Sequence, residues 1–308
     1  MSALDFDADD DPWDTPRIGR PLMSLLTETL EVREQPHSWL PAGLTLLGGK
    51  TKSGKSTLAE QIAEEVSTEK RVLYLALEYN KRMAKGRFER FNESHQIHLV
   101  LEGEIDRIGQ GGEKGLEDLL LTYNPELMIV DILAKLKRQN TGHYDAEYKA
   151  MTEIKELVDK YDKDCLVLTH SGKPTANDSD DPFDKIIGST ALQGVPDNLM
   201  VLKQGNRQAT LHAKGRLIPP SEKFLSFENG KYTERTGVGA EYEDKAPAQA
   251  EVLKLLETKK MTVSELANAL GKDKGQISNI CTKLSQDGQI KRADRNEPWE
   301  YVRHAPEY

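Results

Sequence analysis

Apolar residues fall along this chain in two rhythms. Four short unbroken runs, residues 44–47, 72–77, 127–130 and 165–169, predict buried strands. Leu58, Ile62, Ala63 and Val66 recur instead at helical spacing and mark the inward face of a helix. Leu22, Leu25, Leu26 and Leu30 do the same over residues 21–32. They predict a short amphipathic helix that packs on its own core or on a neighbouring subunit. Residues 208–213 read as a further strand. Toward the C-terminus Val252, Leu255 and Leu256 mark a helix over residues 248–256. A second helix spans residues 262–271, with Thr262 as N-cap, Glu265 three positions on and Gly271 at its end. A third spans 274–284. Asp287-Gly288 then signals a hairpin turn between strands at 289–292 and 299–302.

Composition sets the class. The chain has 308 residues, 37% hydrophobic and 30% charged, which suits a soluble protein of about two domains, at roughly 100–200 residues per domain. Residues 1–40 hold nine acidic and three basic side chains, and Asp5, Asp7, Asp9, Asp10, Asp11 and Asp14 meet no basic partner before Arg17. Such a run predicts a solvated, partly disordered tail, or an acidic peptide that docks a basic partner. The expected organisation is an acidic segment over 1–35, a core over 36–235, a Gly- and charge-rich linker over 236–245 and a small domain over 246–308. A net charge of −9 excludes a strongly basic nucleic-acid coat but leaves room for a local basic surface. Cys165 and Cys281 form neither a disulfide framework nor a metal knuckle, which points to a reducing cytoplasm. There is no apolar run of about 18 residues and no signal-peptide pattern, so a cytoplasmic location without membrane contact is expected.

The most specific chemistry lies at Gly49-Lys50-Thr51-Lys52-Ser53-Gly54-Lys55-Ser56, followed by Thr57, which fits the Walker A pattern G-x-x-x-x-G-K-[ST]. A predicted strand precedes it and a predicted helix follows it, the context a phosphate cradle needs. Glycines let the backbone wrap a phosphate, and loop amides and the helix N-terminus aim positive partial charge at it. Lys55 would neutralise the outer phosphates, and Ser56 would offer its hydroxyl to Mg²⁺. Three other strands end in chemistry-bearing groups. The run 127–130 ends in Asp131, a match to Walker B that with Ser56 would hold the Mg²⁺ shell. The run 72–77 ends in Glu78, placed to polarise an attacking water. The run 165–169 ends in His170, placed to sense a terminal phosphate.

The set of residues 49–57, Glu78, Asp131 and Thr169-His170-Ser171-Gly172-Lys173 resembles the RecA/DnaB-like ATPases, and within them the RepA-type hexameric replicative helicases. Residues 72–90, a strand ending in Glu and then a basic helix, are similar to the matching region of DnaB-type helicases. Gly188-Ser189-Thr190-Ala191-Leu192, with Asp197 a few positions on, is similar to the RepA-type pattern. The resemblance covers roughly residues 36–235 and implies an α/β fold of the RecA-like P-loop type with a mostly parallel central sheet. It implies ATP and Mg²⁺ as cofactors, Lys55 on phosphate, Glu78 as catalytic base, Asp131 as Walker B acid and His170 as sensor of the γ-phosphate. It also implies that Lys214-Gly215-Arg216 supplies an arginine finger, Arg216, to the neighbouring subunit of a homo-oligomeric ring such as a hexamer, with Lys214 beside it.

Two stretches are candidates for single-stranded DNA. The loop 173–185 directly follows His170 and begins with Lys173, but carries four Asp. Lys135, Lys137, Arg138 and His143 follow Asp131 and are the better electrostatic match to a phosphate backbone. The three C-terminal helices and the β-hairpin resemble a winged helix-turn-helix domain. In that fold Lys274, Gln276 and Asn279 would face duplex DNA, with Lys291 and Arg292 on the wing contacting phosphates; protein docking is the competing use. Together these expectations describe a Mg²⁺-dependent ATPase acting on DNA, foremost a replicative-type helicase. The alternatives are a recombinase-like ATPase and an ATP-switched winged-helix regulator.

Overall fold

The computed structural model describes residues 22–29, 33–137, 143–170, 181–183, 190–205, 208–216, 218–235, 247–286, 289–294 and 297–302. Two compact units emerge, residues 1–35 and 36–308. In the first, α1 is the five-residue helix Leu22–Leu26. It is shorter than the predicted 21–32: the chain has left helical geometry by Thr27, whose hydroxyl donates to the Met23 carbonyl at 2.9 Å, and residues 30–32 lie outside the described set.

The second unit is built on a sheet of nine strands: β1 (Leu44–Gly48), β2 (Val72–Ala76), β3 (Ile97–Leu101), β4 (Leu127–Asp131), β5 (Asp164–Leu168), β6 (Asn198–Gln204), β7 (Gln208–Gly215), β8 (Ser221–Glu228) and β9 (Lys231–Glu234). Their order across the sheet is β3-β2-β4-β5-β1-β6-β7-β8-β9. The first six in that order run parallel, and β7, β8 and β9 extend the sheet antiparallel. The mostly parallel sheet is thus as expected. Every residue of β1, β2, β4 and β5 is buried, because helices cover both faces, and this is why these strands read as unbroken apolar runs. β3 sits at the edge with only Val100 buried, and it was not among the expected strands.

Successive side chains alternate between two cores. Leu46, Leu73, Met128, Val130 and Val167 face one cluster, packed with Leu116 and Leu120 of α4 (Gly112–Tyr123) and Ile154 and Val158 of α6 (His143–Lys160). Leu47, Tyr74, Ile129, Leu166 and Leu168 face the other, packed with Leu58, Ile62, Ala63 and Val66 of α2 (Lys55–Val66). Those four α2 positions are the helical face seen in the sequence. Asp131 shares its parity with Leu127 and Ile129, so it projects on the α2 side. Shorter helices complete this part: α3 (Lys81–Arg87), α5 (Leu133–Leu136) and α7 (Thr190–Gly194).

A separate hydrophobic cluster lies within residues 250–301. It joins Val252, Leu253 and Leu256 of α8 (Pro247–Thr258), Leu266 of α9 (Val263–Leu270), Ile277, Cys281 and Leu284 of α10 (Lys274–Gln286), and Ile290 and Trp299. α9 opens with the reciprocal capping box read from Thr262 and Glu265 and closes on Gly271 at φ 61°. Strands β10 (Ile290–Lys291) and β11 (Glu300–Tyr301) pair antiparallel as the wing. The predicted turn at Asp287-Gly288 lies outside the described residues, as does the predicted linker 236–245.

Candidate functional site

β1 delivers its chain into a tight loop at Gly49 and leaves it at Gly54, the N-cap of α2. Gly54 has φ 85°, and a Cβ built there would stand 2.0 Å from the Tyr232 hydroxyl oxygen. A Cβ on Gly49 would stand 2.8 Å from the Leu202 carbonyl oxygen. Both motif glycines therefore sit where backbone lies against a neighbour with no room for a side chain. Lys55 is almost wholly buried and its ammonium donates to the carbonyls of Gly49 at 2.8 Å and Lys50 at 2.9 Å. It lies 3.5 Å from His170 Nδ1. Burial brings Lys55 down to a pKa of about 8, against the opposing pull of Asp131 and Glu78.

The carboxylates close the other side. Asp131 ends β4 and is 2% exposed. Burial lifts it to about 6 even though Ser56 and Tyr74 hydroxyls donate to it, Tyr74 at 3.2 Å. Glu78 occupies the turn after β2, whose Leu77 N–H donates to the Asp131 carbonyl at 2.8 Å, so the ends of β2 and β4 are tied together. His170 follows β5; burial and the Lys55 charge hold it below its ordinary value, with Glu78 opposing. The neutral ring is thus favoured at neutral pH.

These groups share one cavity of about 440 Å³, lined by residues 51–57, Glu78, Asp131 and His170, together with Tyr79, Met83, Arg87 and Ile132. The expected quartet of Lys55, Glu78, Asp131 and His170 is thus brought together, as are Thr51, Lys52, Ser53, Gly54, Ser56 and Thr57. Sequence reasoning missed Tyr79, Arg87 and Glu60. Glu60 reads as a solvent residue on α2, yet it is 1% exposed and accepts from Tyr79 Oη at 2.8 Å and Arg87 Nε at 2.7 Å. Tyr232 was equally hidden, since nothing local on β9 points to a loop so far back in the chain.

The donor set suits a nucleotide phosphate with Mg²⁺. The loop offers an amide cradle, a buried ammonium and, at Ser53, a buried hydroxyl oxygen with no hydrogen-bond partner. Ser56 and Asp131 already touch, and Mg²⁺ typically takes one or two carboxylates plus phosphate and water oxygens. Among the described residues no cluster of three or more His, Cys, Asp or Glu could hold a metal unaided.

Lys214 and Arg216 are not brought to this cavity. Gly215 pairs with Asn198, which pairs with Thr45, so they lie by the start of β1 whereas the cavity lies at its end. The Lys214 ammonium is 3.5 Å from Asp181 Oδ2 and 4.2 Å above the Phe183 ring. Arg216 is 60% exposed and donates to the Gly194 carbonyl at 2.7 Å. Lys135 pairs with Glu102 at 2.8 Å and Lys137 with Glu147 at 2.5 Å, which offsets the positive potential expected after Asp131. Arg138 and Lys173 lie outside the described residues. On α10, Lys274, Gln276 and Asn279 are exposed while Ile277, Cys281 and Leu284 turn inward. Lys291 pairs with Glu300 at 3.5 Å, and Arg292 lies 4.2 Å over Trp299.

The AAA domain family matches residues 21–176, just over half of the chain. The family described as bacterial regulatory protein, arsR family, matches residues 246–279, in keeping with the winged helix. Among solved structures, a DnaB-like replicative helicase studied with primase is 14% identical at a TM-score of 0.51, over 62% of this chain and 58% of that one. A second solved structure, an ATPase domain, is also 14% identical at a TM-score of 0.52, over 63% of this chain and 85% of that one. At such identity the likeness is one of fold, and the chain spans under two thirds of the DnaB-like helicase. A comparison with curated proteins gives no match. No helix among the described residues is long and apolar enough to cross a membrane.

Proposed function

Given that the chain belongs to the AAA domain family, we propose that it is a Mg²⁺-dependent ATPase of the RepA/DnaB-like helicase kind, which hydrolyses ATP at subunit interfaces and moves along single-stranded DNA. The observation that carries this reading is the single cavity holding Lys55, Glu78, Asp131 and His170 at the ends of β1, β2, β4 and β5. Lys55 holds the outer phosphates, and loop amides hold the inner ones. Glu78 accepts a proton from the attacking water while the terminal P–O bond breaks, giving ADP and phosphate. Bound Mg²⁺ would neutralise phosphate charge, held by Asp131 and Ser56. The neutral His170 ring, within reach of Lys55, reports whether the terminal phosphate is present. Arg216 lies at the far end of the sheet from its own cavity, so it acts on a neighbour's site, in a homo-oligomeric ring.

In this reading residues 36–235 are the motor, 236–245 the linker and 246–308 a DNA-facing winged helix in a cytoplasmic protein. The deciding experiment is strand displacement on forked DNA, with ATPase rate measured with and without single-stranded DNA. ATP-dependent unwinding supports the helicase. Homologous strand pairing would identify a recombinase instead. The arsR-family match and the exposed polar face of α10 favour a second reading, an ATP-switched DNA-binding regulator; tight binding to one duplex sequence without unwinding would select it.

A further inference from the structure

Residues 181–183 lie between His170 and α7 in the chain, and they are fixed to β7 at a defined place. Phe183 is 6% exposed and belongs to the hydrophobic cluster of Leu192 on α7 and Leu199 and Val201 on β6. Val201 and Leu199 pair across the sheet with His212 and Lys214, so both of these β7 side chains stand on that face. The Lys214 ammonium lies 4.2 Å from the centre of the Phe183 ring, and the His212 ring meets it edge-on at 6.5 Å. Asp181 adds a second hold. Its Oδ1 accepts from the Phe183 N–H at 2.8 Å, and its Oδ2 is 3.5 Å from the Lys214 ammonium. One carboxylate thus shapes the turn and pairs with the cation, and an aromatic face completes the clasp.

Lys214 stands two positions before Arg216, at the end of β7. The Arg216 N–H donates to the Asp197 carbonyl at 3.0 Å, and its Nη2 donates to the carbonyl of Gly194, the last residue of α7, at 2.7 Å. The clasp therefore bears on Arg216 by two routes, through Lys214 on β7 and through α7, whose Leu192 shares the Phe183 cluster. We propose that Asp181 and Phe183 are positioning residues for the trans-acting Arg216, and that Lys214 serves in cis as their handle instead of reaching the neighbouring cavity. The proposal rests on the ring reading above and changes the part that Lys214 plays in it. The Lys214 charge is already engaged by a carboxylate and an aromatic face of its own chain. Arg216, with its side chain 60% exposed, keeps N–H groups to offer.

The test is a mixture of two full-length variants, read as ATPase rate on single-stranded DNA. Lys55→Ala chains lack a working cavity but still lend Arg216, whereas Arg216→Ala chains keep a cavity and lend no finger. The mixture turns over only where the first kind lends to the second. Asp181→Asn or Phe183→Leu placed in the Lys55→Ala chain lowers the mixed activity about tenfold or more, in kcat with KM for ATP unchanged, because a charge displaced by about 1 Å stabilises the transition state poorly. The same substitution placed in the Arg216→Ala chain leaves the mixture as it was. In the lending chain Lys214→Met gives a similar loss, Lys214→Arg keeps most of the rate, and Lys214→Met with Asp181→Asn costs no more than either alone. Loss from Lys214→Met while Asp181→Asn and Phe183→Leu are both harmless would return Lys214 to the neighbour's phosphate and overturn the proposal. Equal loss whichever chain carries Asp181→Asn and Phe183→Leu overturns it too, since that is general damage. An inactive mixture of the two parent variants would instead fail the ring reading itself.

Discussion

The side-chain amide of Gln61 pairs with the backbone of Tyr232 through both of its ends. Its Nε2 donates to the Tyr232 carbonyl at 2.9 Å, and its Oε1 accepts from the Tyr232 N–H at 2.7 Å. This joins β9, an edge strand of the sheet, to α2, the helix that carries the phosphate loop, and it sets the Tyr232 hydroxyl against Gly54. The antiparallel extension therefore braces the loop from behind.

Gln61→Leu leaves the Tyr232 N–H and carbonyl buried and unpaired, at a cost of about 2–4 kcal/mol. Chemical denaturation of the two proteins side by side reads that loss. Gly54→Ala meets both a left-handed backbone and the Tyr232 hydroxyl, so it should fold less stably and bind no nucleotide in calorimetric titrations.

Lys55→Ala removes the buried ammonium at the centre of the cavity and should abolish hydrolysis; normal turnover would refute the site. Glu78→Gln should bind ATP yet hydrolyse it about 10²–10⁴-fold more slowly, in line with the loss of a general base. Single-turnover rates with saturating ATP separate the two effects, and an unchanged rate would remove Glu78 from the chemistry.

Two shifted groups predict a pH window for nucleotide binding. Asp131, lifted to about 6 by burial, takes a proton as pH falls through that value and gives up Mg²⁺. Lys55, brought down to about 8, loses its charge as pH rises through that value and gives up phosphate attraction. Affinity for Mg²⁺-ADP should thus be highest between about 6 and 8. Without ligand the same Asp131 shift has a stability consequence. Its native form holds a proton that the unfolded chain has released, so stability is present at low pH and lost as pH rises toward about 6. Asp131→Asn should flatten that slope in denaturation curves measured from pH 4 upward.

Arg216→Ala subunits mixed into an active pool should depress activity by more than their share, because each would deprive a neighbour's cavity. Activity that falls only in proportion to dilution would show that Arg216 does not act in trans.

Local pattern carried much of this protein. Four buried strands, the loop between strand and helix, the α2 face and the Thr262–Glu265 cap are all written in runs and spacings of a few residues, because the forces that shape them act over a few residues. So are the residue types at the strand ends. Residues 97–101, Ile-His-Leu-Val-Leu, were not among the expected strands although their composition is that of one, and neither were residues 198–204. Glu60 and Arg87 were not legible: each looks like a solvated helix residue until α3 is laid beside α2.

What the chain alone settled was therefore the four buried strands, the helix after the phosphate loop, the C-terminal helices, and which groups stand at the ends of those strands. Tertiary structure decided that β1 lies between β5 and β6, so that ends far apart in sequence converge on one loop. It also decided that Gln61 and Tyr232, 171 positions apart, meet, and that Lys214 and Arg216 face away from their own cavity. Strand order and register come from long-range pairing and shared burial, and no short stretch of sequence contains both partners.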